Sequence, residues 1–186
     1  GENCIDAEVP GNFELDLQRA GKIQDPFFGK NILALQDFED CHIFYARKFD
    51  YKSRPGMIPQ IVFEGIDTLS EIYLNGELLA YTDNMFIQYK FELDNLLKEG
   101  ENEIVVHLLP VCIETRKNKV SAGNFALKYN YETLRLRKAP HMFGWDIMPR
   151  AVSAGLYRPV YLEYRPMDYF RQVYFMTEAV DLPNQR

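Results

Sequence analysis

The sequence predicts an all-β fold: a β-sandwich of short antiparallel strands with one short helix near the N-terminus. Three observations carry this. Asn75-Gly76 separates two strand-like runs, 71–74 and 77–81, and both residues tolerate the positive φ of a two-residue hairpin turn. Residues 86–93 alternate, with Ile87, Tyr89, Phe91 and Leu93 opposite Phe86, Gln88, Lys90 and Glu92, the period of a half-buried strand. The other apolar runs are short and broken by Gly, Pro and Asn, the pattern of a sandwich.

In chain order, residues 11–20 read as the helix: Phe13, Leu17 and Ala20 fall at i, i+4 and i+7, with Gly21 at the C-terminal cap. Asp25-Pro26 forces a turn. A strand over 42–51 is centred on Phe44 and Tyr45, and the run 61–66 is broken by Gly65, which suggests a bulge or close backbone approach. After the hairpin and the alternating strand, 94–97 form a helical turn and Gly100-Glu101-Asn102 turns the chain into a strand over 104–109. Residues 157–164 close the sandwich. Residues 167–186 begin a new segment, in which 173–177 read as one more strand.

The stretch 110–140 departs from this pattern. It reads as irregular and locally basic, with Arg116, Lys117, Lys119, Lys128, Arg135, Arg137 and Lys138 interleaved with Phe125, Tyr129 and Tyr131. Such a stretch could hold single-stranded nucleic acid. The formal net charge of −6 opposes a general nucleic-acid partner, and a long excursion lying against another domain or a glycan is the preferred reading.

A chain of 186 residues, 47% hydrophobic and 14% aromatic, has the material for one domain with a real core, or one domain with a fragment of the next. No stretch approaches the ~20 apolar residues of a membrane span, and no membrane partner is expected. The N-terminus lacks a signal peptide and an initiating Met, so the chain is expected to be processed or cut from a longer protein, with Gly1 a possible tag remnant. Cys4, Cys41 and Cys112 are odd in number and widely spaced, which reads as three separate thiols, with one disulfide open if the protein is exported. His42, His107 and His141 are equally scattered. No metal site and no cofactor is expected.

The run from Arg137 to Arg150 carries the candidate chemistry. It holds the single Trp, Trp145, directly before Asp146, with Gly144 and Pro149 on either side. An indole packs on the apolar face of a pyranose, and a carboxylate accepts hydrogen bonds from its hydroxyls. The alternative is a core plug beside a turn-capping Asp. A G-x-S-x-G elbow, a Gly-rich phosphate loop and a His-Glu-x-x-His helix are all missing from the sequence, and no carboxylate pair stands out by motif as a glycosidase acid and nucleophile.

Taken together, Val9-Pro10-Gly11, Asp25-Pro26-Phe27-Phe28-Gly29, Phe63-Glu64-Gly65-Ile66-Asp67, Ile72-Tyr73-Leu74-Asn75-Gly76, Thr82-Asp83-Asn84-Met85-Phe86, Phe143-Gly144-Trp145-Asp146 and Ser153-Ala154-Gly155-Leu156-Tyr157-Arg158-Pro159-Val160 resemble the N-terminal sugar-binding domain of glycoside hydrolase family 2. The Asp-Pro-Phe and Phe-Gly-Trp-Asp blocks are similar to the β-mannosidase branch. The resemblance runs from about Ala7 to Pro166. It implies the jelly-roll, galactose-binding-domain-like sandwich over 1–166, and it implies that 167–186 are a linker and the first strand of a truncated immunoglobulin-like domain. It further implies that catalysis resides in a TIM barrel of the same parent chain, that this chain holds no catalytic residue, and that the partners are a carbohydrate (a β-mannoside or related glycoside) and those two domains. Trp145 and Asp146 are then substrate-binding, reaching into the glycone subsite of the barrel, and Arg137 is grouped with them. Lys138 and Arg150 are read as surface cations or salt bridges to the barrel. A glycan-degrading role favours a periplasmic or extracellular setting. Ile147 and Met148 depart from the family's second Trp and Gly, and Ile43 stands where the family often has Trp. A stand-alone carbohydrate-binding module and a purely structural scaffold remain as alternatives.

Overall fold

The computed structural model describes residues 4–93, 95–117, 119–126, 131–181 and 183. Gly1, Asp94, Lys128 and Tyr129, which entered the reading above, lie outside the described residues, as do 182 and 184–186 of the C-terminal segment. Among the described residues, seven strands form two antiparallel sheets: β1 (Ile43–Tyr51), β2 (Met57–Phe63), β3 (Ser70–Leu74), β4 (Glu77–Thr82), β5 (Tyr89–Glu92), β6 (Gly100–Leu108) and β7 (Val160–Pro166). One sheet has the order β1-β6-β3-β4, the other β5-β2-β7. Side chains from both sheets fill the space between them: Tyr45, Ile72, Leu74, Ile104, Val106 and Leu108 from the first, Ile61 and Phe63 from the second, with Ile66, Leu93 and Leu156 from connections. The strands alternate because only one face of each is covered, as along β6, where Asn102, Ile104, Val106 and Leu108 are buried and the residues between them are not.

The predicted helix forms as α1 (Phe13–Arg19), and the Asn12 side chain accepts from Leu15 N at its start. The Asn75-Gly76 hairpin forms as predicted, with Leu74 opposite Glu77 and φ of 53° and 84° at the two turn residues. The alternating strand is shorter than its pattern: β5 covers Tyr89–Glu92, while Phe86 and Ile87 are exposed. The cause is local. Asn84 Oδ1 takes the Phe86 amide at 3.0 Å, and the Tyr89 hydroxyl takes the Asp83 and Asn84 amides at 3.2 and 3.0 Å, so side chains supply partners that a strand ladder would otherwise supply.

One expectation about the elements needs correction. The stretch expected as one irregular excursion contains a second helix, α2 (Val111–Arg116), and a 3-10 turn over Tyr131–Arg135. Six residues are under two turns, too short for the 3.6-residue period to show. Residues 173–177, expected as a strand of a following domain, are irregular and exposed in this chain. A strand is defined by its partner, and nothing among the described residues pairs with them.

Candidate functional site

The Trp145 segment is a small hairpin on a buried base. Pro140–Phe143 make a 3-10 turn with Pro at its start. Phe143 is fully buried and packs with Val111, Cys112 and Val152 in a second apolar cluster, separate from the sandwich core. Gly144 then takes φ 110°, which turns the chain out to solvent. Trp145 and Met148 exchange backbone hydrogen bonds of 3.0 and 3.2 Å, leaving Asp146 and Ile147 at the tip. Trp145 is 55% exposed, and Asp146 is exposed. The indole is therefore on the surface of this domain and not a core plug, with the exposed Asp146 next to it in the chain.

The stem after the hairpin is held by Arg150. Its Nε and Nη2 donate to the two Glu39 carboxylate oxygens at 2.7 and 2.6 Å, and its Nη1 donates to Glu132 at 2.8 Å. Glu132 also meets Arg116, which continues the chain of charges to Asp40. The bidentate bond to Glu39 raises the Arg150 pKa above its ordinary value, with Glu132 adding to it and burial opposing it. Arg150 is thus neither a surface cation nor left unpaired for another domain. Glu39, Glu132 and Arg116 are members of this charge network that no motif linked to Arg150, because they are not adjacent to it in sequence.

Lys138 is likewise not on the surface. Its Nζ is fully buried, pairs with Asp67 and donates to the Ser153 carbonyl at 2.6 Å. Burial pushes the ammonium below its ordinary pKa, against the pull of Asp67. Glu14 lies in the same network, accepting from the Ser153 hydroxyl at 3.0 Å, and burial pushes its carboxyl up to about 7. A cavity of about 250 Å³ adjoins this network, with Asn12, Asp67, Met85, Met142, Ser153 and Tyr157 in its wall.

Arg137 is exposed. Its backbone carbonyl receives the Met85 amide at 2.9 Å and its strand-like bridge is to Asn84; among the described residues no bond joins it to the Trp145 hairpin. His42 and His107, scattered in sequence, meet at 2.8 Å through ring nitrogens, and His107 also meets Glu71. This cluster stands on the outer face of the four-stranded sheet. The cysteines are separate thiols, with Cys112 buried.

The profile of the family described as "Glycosyl hydrolase 2 galactose-binding domain-like" matches residues 1–158. The chain is 35% identical over 161 residues to beta-mannosidase B of Thermothelomyces thermophilus, covering 84% of this chain and 19% of that protein. It is 31% identical to beta-mannosidase B of Emericella nidulans, covering 83% and 19%. A crystal structure of beta-D-mannosidase from Dictyoglomus thermophilum superposes with a TM-score of 0.75 at 40% identity, over 84% of this chain and 20% of that one. An exo-chitosanase of Amycolatopsis orientalis, at 16% identity and TM-score 0.63 over 88% of this chain and 17% of that one, shares the fold. The chain therefore spans about a fifth of the length of the relatives it matches.

Proposed function

The chain belongs to the galactose-binding-like domains of glycosyl hydrolase family 2, and from that premise we propose that it serves a β-mannosidase-like hydrolase as its non-catalytic sugar-binding domain. In this reading the domain completes the glycone subsite of a separate catalytic barrel and binds a β-mannoside or related glycoside. The observation that carries it is the hairpin: an exposed indole and an exposed carboxylate on a two-residue tip, fastened to a buried base. Among the described residues no side-chain hydrogen bond or ion pair commits the Asp146 carboxylate, which leaves it able to accept from a sugar hydroxyl. Trp145 supplies the stacking surface, and the exposed Arg137 offers guanidinium N–H donors to sugar oxygens.

The test is kinetic, in the full-length enzyme carrying this domain. Asp146→Ala removes a charge-assisted hydrogen bond worth roughly 1.5–3 kcal/mol, equivalent to about one to two powers of ten in kcat/KM on an aryl β-mannoside. Trp145→Ala is expected to lower it as well, and thermal melting checks the fold of both variants. Near-wild-type kcat/KM in both would show that the hairpin is only structural. Tight glycan binding by this chain alone would point instead to a stand-alone binding module.

A further inference from the structure

We propose that Arg150 is the positioning residue of the Trp145 hairpin, holding indole and carboxylate in one orientation. The purpose of that orientation rests on the functional reading above; the mechanical role does not. The hairpin closes through two backbone hydrogen bonds, and Ile147 is 88% exposed, so its own side chains contribute little to holding it. A hairpin this small is not stable on its own in water. Its direction must come from its two stems.

Arg150 acts on both stems. It lies two residues beyond Met148, and its Nη1 also reaches the Phe143 carbonyl at 3.5 Å, on the opposite stem. Its guanidinium lies over the Phe143 ring, 5.4 Å from the centroid. The remaining donors are spent on Glu39, Glu132 and the Cys112 sulfur. Glu39 belongs to the chain before β1, Cys112 to α2 and Glu132 to the 3-10 turn over Tyr131–Arg135, so one planar group ties three segments to the base of the hairpin. Only a guanidinium has this fork. Lys keeps the charge but offers a single ammonium that cannot satisfy a bidentate carboxylate and a second carboxylate in one plane. The geometry therefore separates orientation, which Arg150→Lys loses, from charge, which it keeps.

Trp145 is the single Trp of the chain, so its fluorescence reports the hairpin directly. In Arg150→Lys the amplitude of fast anisotropy loss of Trp145 should rise, with far-UV circular dichroism unchanged. Unchanged Trp145 motion in a folded Arg150→Lys would overturn the proposal. If that variant does not fold, Glu132→Gln weakens one arm of the clamp at a partly exposed site; it should raise the same amplitude by less, and no rise there would also overturn it. In the full-length enzyme, Arg150→Lys should lower kcat/KM by about tenfold and cause little further loss in an Asp146→Ala background, since a positioning residue acts through the group it positions. Full additivity of the two losses would refute the coupling while leaving the sugar-binding reading intact. No loss in either Asp146→Ala or Trp145→Ala would refute that reading and leave the anisotropy result standing.

Discussion

Glu14, Asp67 and Lys138 are all more than nine-tenths buried, which is costly for charged groups unless they are paired. Lys138 and Asp67 form the pair. Lys138→Met should destabilise the domain by roughly 3–5 kcal/mol, because it leaves a buried carboxylate without its counter-charge; the shift of a urea unfolding midpoint measures it, and an unmoved midpoint would show that Asp67 finds other compensation. Glu14 behaves differently. Burial raises its carboxyl from 4.5 to about 7, so between those values the folded state holds a proton that the unfolded state has released. Stability contributed by Glu14 is therefore present below about 4.5, falls as pH rises to about 7, and is flat above. A shift of this size corresponds to on the order of 3 kcal/mol. Glu14→Gln should remove that slope and stabilise the domain above neutral pH, as read from unfolding free energy against pH in both proteins. A parallel pH dependence in both would count against this assignment.

At the scale of single elements, two glycines differ in what they protect. Gly76, in the β3–β4 turn, has φ 84° and open space around a would-be Cβ; Gly76→Ala should cost only the left-handed backbone penalty, about 1–2 kcal/mol. Gly155 has ordinary φ, but a Cβ there would lie 2.5 Å from the Gly11 carbonyl oxygen and 2.6 Å from Asn12 Cα. Both are backbone atoms, so the segment leading into α1 must move, and with it the Gly11–Leu156 and Phe13–Ala154 hydrogen bonds. Gly155→Ala is therefore expected to lower the melting temperature more than Gly76→Ala, and the reverse order would contradict the packing described. The legibility of the elements follows the same division. The Asn75-Gly76 turn was readable because its constraint is local. The start of β5 was not, because Asn84 and Tyr89 compete for the amides before it, and α2 is too short to show a period.

The whole molecule is a sandwich core with a second apolar cluster beneath the Trp145 hairpin. Among the described residues the buried carboxylates are Glu14, Asp16 and Asp67, already committed to Ser153, Arg19 and Lys138, whereas a hydrolase pair must face each other across an open cleft. The chain by itself is expected to show no turnover of an aryl β-mannoside, and sustained hydrolysis by a clean preparation would overturn this. The all-β class, the N-terminal helix and the hairpin at Asn75-Gly76 were determined by the sequence alone, since alternation, cap and turn preference act between neighbours along the chain. The pairing of Trp145 with Asp146 was legible for the same reason, as adjacent residues between two turn-formers. Exposure of that pair was not legible, nor were the burial of Lys138 and the clamp of Arg150. The tertiary structure decided those, because each depends on a carboxylate, Asp67, Glu39 or Glu132, brought from a distant part of the chain by the packing of the two sheets and the segments around them.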